Sequence, residues 1–328
     1  MQERHSDRER YFDEQARTTE KYYIPYIRKC CPELPQEVLE VGCGEGGNLF
    51  SFAQLGCSVT GVDIAAGRIA EARKFFAERG AEGTFIASDI FKLTELEHKF
   101  SLILVHDVIE HIDDKAGFLK GLKRYLAPGG VVFMAFPAWQ MPFGGHQQIA
   151  HSKVVSHFPF LHLLPSPLYK GVLAAAGENE PTIRELMNIK HTRCPIEKFQ
   201  AALYATGYRV VDRQLYFINP HYETKFGLKP RKLHGSLSVL PYVRNFSVQV
   251  VSISCSPKEG ECRLSKCHSD LCVARVFGVG SGSDRKYRNL GLRRACTKIA
   301  EKALDCHKRT ACPEWSVWFG TACRRRWV

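Results

Sequence analysis

Apolar runs and amphipathic stretches alternate regularly between residues 36 and 136. The short apolar runs predict buried parallel strands. They are VLEV (38–41), SVTGVD (58–63), TFIAS (84–88), SLILVHD (101–107) and VVFMAF (131–136). The amphipathic stretches between them predict helices, most clearly in RIAEARKFFAERG and in KAGFLKGLKRYLAPGG, where Pro-Gly-Gly ends the helix. This alternation is typical of βαβ units and predicts an α/β fold with a doubly wound, Rossmann-like sheet.

The pattern breaks at residues 137–190, a segment rich in Pro, His and Phe that we interpret as a helical or loop-like lid on the substrate side. It resumes with a predicted helix in PIEKFQAALYATGY. Two further runs, RVVDRQLYFIN (209–219) and SVQVVSIS (247–254), predict strands with no convincing helix between them. We therefore expect them to form an antiparallel pair at the far edge of the sheet.

Three regions differ in composition along the chain. Residues 1–35 read as a polar, helical N-terminal arm and residues 36–254 as one domain that includes the insertion at 137–190. Residues 255–328 form a tail with 16 Lys/Arg, 7 Asp/Glu and 8 of the 13 cysteines. Most of the net charge of +12 therefore belongs to the tail. Such an abrupt change would also result from an out-of-frame or misjoined coding segment, so we assign the tail no function.

Several classes of protein are disfavoured by composition. No run of about 18 apolar residues is present, and the charged N-terminus lacks the apolar stretch of a secretory signal. These features predict a cytoplasmic, reduced protein without a transmembrane segment. The tail cysteines show no paired CxxC spacing, so we predict no metal site there or elsewhere.

The first predicted strand runs into a glycine-rich turn, Glu40-Val-Gly42-Cys-Gly44-Glu-Gly-Gly47-Asn, which opens a helix. Glycines let the backbone turn tightly and approach a ligand closely. Asp63 ends the second strand about 20 residues later, where a carboxylate can accept both ribose hydroxyls. The loop alone fits a dinucleotide equally well, so the spacing does not choose the cofactor.

Three features favour S-adenosylmethionine over NAD. Glu40 places an acid beside the crevice floor, which suits a cationic ligand better than a pyrophosphate. Asp89 and Ile90 end the third strand with an acid and an aliphatic side chain, which can bind an adenine amino group and cover its ring. The predicted antiparallel pair also differs from a second mononucleotide-binding half.

The motifs VLEVGCGEGGNL, VTGVDI, ASDI, LVHDVIEHI and LAPGG occur in this order. Together they resemble class I S-adenosylmethionine-dependent methyltransferases, nearest to the ubiquinone-pathway and small-molecule O- and N-methyltransferases. The resemblance covers residues 36–136 and implies a seven-stranded sheet with an antiparallel last strand. It also implies cofactor contacts, with Gly42 and Gly44 under the methionine, Asp63 and the adjoining Ile64 at the ribose, Asp89 and Ile90 at the adenine, and the backbone around His106 at the amino-acid end.

Methyl transfer requires an aligned acceptor, exclusion of water and, for hydroxyl or ammonium acceptors, removal of a proton. Glu110 and His111 follow the fourth strand and resemble a pair that some small-molecule methyltransferases use near the transferred methyl. They can equally cap and anchor the following helix. The loop after the fifth strand offers His146 as a further base and Trp139, Gln140, Gln147 and His151 as substrate contacts, with burial within the loop as the alternative.

These features predict an enzyme that methylates oxygen or nitrogen of a small or amphipathic metabolite. The alternatives are an RNA or protein methyltransferase anchored by the basic tail, and a catalytically silent binding module. Nucleic acid is the less favoured substrate, because His106-Asp107-Val108-Ile109 stands where many nucleic-acid amino-methyltransferases carry a Pro-Pro signature. The apolar insertion also fits a homodimer contact or loose association with a membrane surface. The segment 219–233, with His221, Tyr222 and Lys225, is expected to return to the same mouth.

Overall fold

A computed structural model describes residues 7–31 and 33–257 of the chain; the tail prediction for residues 258–328 lies outside this part. Eight strands occur within the described residues. They are β1 (Glu37–Val41), β2 (Ser58–Asp63), β3 (Thr84–Ala87), β4 (Phe100–His106), β5 (Leu126–Phe136), β6 (Tyr208–Ile218), β7 (Arg231–Lys232) and β8 (Val250–Pro257).

The helices of this part lie between the strands and before the first of them. They are α1 (Arg8–Thr18), α2 (Ile24–Cys30), α3 (Gly47–Gln54), α4 (Ala66–Glu78), α5 (Lys115–Leu122), α6 (Lys153–His157), α7 (Ser166–Ala175), α8 (Glu180–Thr192), α9 (Ile196–Ala205), α10 (His221–Phe226) and α11 (Gly235–Ser238). A wide π turn, Thr19–Tyr23, joins α1 to α2. The described part of the N-terminal arm is thus mostly helical.

All eight strands form one sheet in the order β3-β2-β1-β4-β5-β8-β6-β7. Strands β1 to β5 are parallel, whereas β8 runs antiparallel to both β5 and β6. The predicted α/β Rossmann-like fold and its antiparallel pair are confirmed. The prediction of seven strands was one too few, because the two-residue β7 adds to β6 at the edge. The last long strand also continues three residues beyond the predicted Ser254.

Alternation along the strands sends side chains to two faces, and each face has its own core. On one face Leu39, Ile103 and Val132 pack with residues of α5 and α9. On the other, Val38, Leu102 and Phe133 pack with residues of α1, α2, α3 and α4. A sheet covered on both faces needs strands that are apolar throughout, which explains the continuous apolar runs.

The insertion after β5 is more regular than the sequence indicates and has a small core of its own. Tyr169, Leu173 and Leu186, from α7 and α8, are completely buried there. The buried Lys190 donates hydrogen bonds to the backbone oxygens of His162 and Leu164, which fixes the insertion's path. Among the described residues, no helix combines the length and apolar character needed to cross a membrane.

Candidate active site

The glycine loop after β1 adopts a conformation that only glycine takes without strain. Gly42, Gly44 and Gly46 all have positive φ, at 73°, 53° and 84°. A Cβ on Gly42 would lie 2.3 Å from Cγ2 of Val108, so the loop also packs tightly against the segment after β4. The loop therefore forms a bare backbone surface at the carboxyl ends of the parallel strands, where ligands of doubly wound sheets bind.

Asp63 ends β2 beside this loop. Its Oδ2 accepts a hydrogen bond from the Gly44 amide at 2.9 Å and its Oδ1 accepts one from the Ala65 amide at 2.8 Å. Each carboxylate oxygen can accept a second bond, so the side chain is fixed in place and still has two acceptor positions for the hydroxyls of a ribose.

Glu40 lies on the floor of the crevice, 1 % exposed. Its Oε1 accepts a hydrogen bond from Asn48 Nδ2 at 2.7 Å, and no partner is found for Oε2 among the described residues. Burial raises the pKa of this carboxyl to about 8. The fixed negative charge expected from the sequence is therefore conditional, because the carboxyl ionises fully near neutral pH only when a cation approaches it.

The predicted adenine contacts differ in their exposure. Asp89 is exposed, and its side chain caps the following 3-10 turn by accepting a hydrogen bond from the Phe91 amide. Ile90 is 5 % exposed and packs in the main core, so little of its surface is left to cover a ring. Ile64, by contrast, is 83 % exposed beside Asp63 and offers an unpaired apolar surface.

His106 ends β4 between the N-terminal arm and the acid that follows it. Its Nε2 lies 2.9 Å from the hydroxyl of Tyr23, and its Nδ1 lies 3.4 Å from Oδ2 of Asp107. Asp107 has a positive φ of 52°, a strained conformation for a residue with a side chain. The arm thus reaches the predicted amino-acid end of the cofactor site, which the sequence did not indicate.

The three predicted catalytic residues come together. Glu110 and His111 lie in a 3-10 turn after β4, and His146 comes from the loop after β5. Glu110 Oε1 is 3.8 Å from His146 Nε2, and the two imidazole rings meet edge to face with centroids 5.2 Å apart. One ligand atom from each residue lies within 4.8 Å of the others, so the set can also hold a divalent cation.

Glu110 is the unusual member of this cluster. It is 3 % exposed, and both of its carboxyl oxygens lack a hydrogen-bond partner within the described part of the chain. Burial, reinforced by the charge of Asp107, raises its pKa well above the ordinary value. Buried polar atoms without partners are costly and mark a place where a proton, an ion or a substrate group is accommodated.

A cavity of about 420 Å³ opens beside the cluster. His106 and Asp107 line one side, the loop after β5 lines another, and the N-terminal arm and α10 complete it. Its main lining residues are Tyr11, Met141, Pro142, Phe143, His146, Gln148, Ile149, His221, Tyr222, Lys225 and Phe226. Of the segment 219–233 that was predicted to return to this mouth, residues between 219 and 226 line the cavity, including His221, Tyr222 and Lys225.

The four residues predicted to contact substrate lie elsewhere in the loop. Trp139 is 6 % exposed and packs edge to face on His162, and Gln147 is fully buried with its Nε2 donating to the backbone oxygen of Pro142. Gln140 is half-buried, and His151 is exposed with its amide and ring paired to Glu178. None of the four lines the cavity; their neighbours do.

Residues of this cavity that the sequence did not single out come mostly from segments distant in the chain. Tyr11 belongs to the arm, and Met141, Pro142 and Phe143 stand between two residues that were predicted. For Trp139, burial within the loop was the alternative to substrate contact. Burial is favoured for a bulky aromatic residue in an insertion that has its own core. The signal for Tyr11 is weaker: an aromatic pair, Tyr11-Phe12, within an otherwise charged helix.

Residues 38–130 match the methyltransferase domain family. The chain is similar to ubiquinone biosynthesis O-methyltransferases from Chelativorans sp. (36 % identical over 98 residues, 30 % of this chain and 39 % of that protein) and from Pseudomonas aeruginosa PAO1 (32 % over 106 residues, 30 % and 44 %). It thus spans about two fifths of the length of these relatives.

Solved structures with a similar fold include two plantazolicin methyltransferases. BamL, in complex with a triazolic desmethylPZN analogue and SAH, gives a TM-score of 0.48 at 12 % identity, and the match covers 77 % of this chain and 88 % of that one. BpumL, in complex with SAH, gives 0.44 at 14 %, with 76 % and 84 % covered.

The matching family, the sheet order and the glycine loop with its partner Asp63 define the class. Residues 38–130 form a class I S-adenosylmethionine-dependent methyltransferase domain.

Proposed function

We propose that the chain is an enzyme that transfers the methyl group of S-adenosylmethionine to an oxygen or nitrogen atom of a small or amphipathic metabolite. The observation that carries this proposal is the cluster of Glu110, His111 and His146 beside a largely apolar cavity at the carboxyl ends of β4 and β5. A location in the cytoplasm belongs to the same proposal.

S-adenosylmethionine, when bound, supplies an activated methyl group on a sulfonium. Asp63 and the glycine loop would hold its ribose and methionine, because they present two free acceptor positions and bare backbone. The aromatic and aliphatic side chains of Met141, Phe143 and Tyr222 exclude water from the acceptor.

His146 is the side chain best placed to take the acceptor's proton, since it lines the cavity and lies against Glu110. An imidazole nitrogen of His146 would take the acceptor's proton as the acceptor atom receives the methyl group, and would later release it to water at the mouth of the cavity. Glu110 lies 3.8 Å from Nε2 of His146, and burial raises the pKa of its carboxyl. Its role would be to hold the ring in place and to stabilise the imidazolium.

The first experiment measures binding of S-adenosylhomocysteine to the full chain by calorimetry and labelled methyl transfer into a metabolite extract and into RNA. We expect micromolar binding and label in small molecules. Asp63→Ala should abolish binding while leaving the fold intact. Absence of binding to the unmodified chain would contradict the domain's activity, and label appearing only in RNA would contradict the substrate class.

The same cluster favours a second candidate chemistry, in which a divalent cation held by Glu110, His111 and His146 orients the acceptor oxygen. Treatment with EDTA followed by Mg²⁺, Mn²⁺ or Zn²⁺ separates the two. A base requires no added metal, whereas loss of transfer with EDTA and recovery with one cation would identify the cation instead.

A further inference from the structure

A surface of unusual composition extends from the rim of the cavity over residues 226–243, which we call the basic apolar face. Besides Phe226 at the rim of the cavity, five of its apolar side chains are at least 45 % exposed: Leu228, Val239, Leu240, Tyr242 and Val243. Val239 is 70 % exposed and Tyr242 64 %. Single exposed apolar residues are ordinary, but a continuous group of this kind marks an interaction surface.

Cations accompany these apolar side chains. Lys229, Arg231 and Lys232 are all exposed, and the last two form β7 at the edge of the sheet. No Asp or Glu occurs anywhere in residues 224–257. The nearest acid along the chain, Glu223, is already paired with Lys21 and Tyr22 of the arm. From another element, Glu197 of α9 reaches the face, where it accepts a hydrogen bond from the Tyr242 amide and pairs with Arg244. The face therefore combines apolar and positive groups, and the two acids described near it, Glu197 and Glu223, are already paired.

The face is continuous with the cavity and with the insertion. Tyr222, Lys225 and Phe226 line the cavity immediately before it. At its other end Phe246 contacts Phe160 of the insertion, with ring centroids 6.4 Å apart, and Phe160 is itself partly exposed. A body lying on this face would thus cover apolar side chains on both sides of the segment and adjoin the cavity's opening.

Charge decides between the occupants that an apolar face can take. Two copies of the chain meeting symmetrically through this face would bring the same cations together with no acid to pair them. An anionic lipid surface supplies both complements, because headgroup phosphates attract Lys and Arg while the acyl boundary accepts apolar side chains.

We propose that the basic apolar face docks the protein on the surface of an anionic lipid membrane. Leu228, Val239, Leu240, Tyr242 and Val243 enter the boundary between headgroups and acyl chains, and Lys229, Arg231 and Lys232 lie among the headgroups. This proposal does not depend on methyl transfer, since it rests on surface composition and placement alone.

The test is co-sedimentation of the full chain with vesicles of phosphatidylcholine alone and of phosphatidylcholine with 30 % phosphatidylglycerol, a fraction of about one third chosen to give a strong surface charge. We expect binding to the anionic vesicles only, weakened by salt. The variant Lys229→Glu/Arg231→Glu/Lys232→Glu should bind about tenfold or more weakly. Val239→Ser/Leu240→Ser/Val243→Ser should also weaken binding, because it removes exposed apolar area without touching the cavity.

A matched control carries the same change of charge in α4, after β3 and before β4, Lys74→Glu/Lys92→Glu/Lys99→Glu, where all three lysines are exposed. It should bind as the unmodified chain does. Hydrogen exchange should show protection of residues 226–243 when anionic vesicles are added. The proposal is overturned if anionic vesicles do not bind, if the control loses as much binding as the variants in the face, or if residues 226–243 gain no protection. Self-association lost in the same variants, without lipid binding, would assign the face to a second copy instead.

Discussion

The two sides of the crevice are built in different ways. On the cofactor side, the backbone forms most of the site: Gly42 and Gly44 turn in a conformation that strains residues with a side chain, and Asp63 is held by two amides. On the substrate side, the cavity is formed by side chains from five segments that are far apart in the chain. Local backbone requirements leave a motif in the sequence, whereas a surface assembled from distant side chains leaves none.

The largest expected effect tests the substrate side. His146→Ala should lower kcat by about 100-fold or more, because it removes a base while leaving the glycine loop untouched. Calorimetry should show unchanged binding of S-adenosylhomocysteine. His157→Ala is a matched control, since His157 also lines the cavity but has no contact with Glu110 among those described, and it should change kcat less than about threefold. Equal losses in the two variants would contradict a role for His146 as base.

The cofactor side can be broken through its backbone. Gly42→Ala puts a Cβ against Val108 at a φ of 73°, so we expect a loss of about 3 kcal/mol in the free energy of unfolding and weaker binding of S-adenosylhomocysteine. Gly67→Ala, in α4, meets nothing within 4 Å and should be neutral or slightly stabilising. Denaturant unfolding compares the two variants. Similar losses in the free energy of unfolding would show that the conformation of the turn is not the reason why residue 42 must be glycine.

Glu40 gives the cofactor side a pH dependence. Its pKa in the folded protein, about 8, exceeds its ordinary value of 4.5. The unfolded chain therefore releases this proton first, so the group's contribution favours folding below about pH 4.5 and is lost as the pH rises to about 8. As the pH rises through this window, we expect the free energy of unfolding of Glu40→Gln to increase by roughly 2 kcal/mol relative to that of the unmodified chain. The upper limit is about 1.4 kcal/mol for each pH unit of the window, and water and relaxation of the structure reduce it. Thermal unfolding between pH 5 and 8 measures it, and parallel pH profiles for the two proteins would refute it.

The smallest expected effect concerns Ile64, the exposed residue beside Asp63 on the cofactor side. Ile64→Ser should leave the free energy of unfolding within about 0.5 kcal/mol, because the side chain is almost entirely exposed. It should weaken binding of S-adenosylhomocysteine by about threefold through the loss of one apolar contact. A stability loss above 1 kcal/mol, on the order of a buried contact, would show that Ile64 packs instead.

Much of the fold could be predicted from the sequence because strands buried on both faces are apolar throughout. The interval predicted for β2 matches the structure. For β5 the prediction began five residues late, at Val131, because Leu126 pairs with Phe100 across a shift in register that no apolar run marks. The two-residue β7 lies beyond such reasoning, since two charged residues have no period.

The candidate site was predictable to the extent that its residues follow a strand or a glycine. Glu110 and His111 were placed by their position after β4, and their meeting with His146 followed from two strands ending side by side. The positions of Trp139 and Gln147 could not be predicted in this way, because hydrogen bonds and packing within the insertion bury them. Whether such residues face inward or outward depends on partners such as His162, which lies more than 20 positions away.

The π turn at Thr19–Tyr23 has a consequence for insertions and deletions in the arm. A π turn accommodates one residue more than an α turn, and one residue corresponds to about 100° of rotation around a helix. Phe12 before the turn packs against α3 and α4, and Tyr23 at the end of the turn meets His106. Deleting one residue within the turn would shorten it to an α turn and keep both contacts near their present places. Deleting one residue of α1 between Phe12 and the turn would instead rotate one contact relative to the other by about 100°. The arm should therefore tolerate a missing residue in the turn better than one in α1.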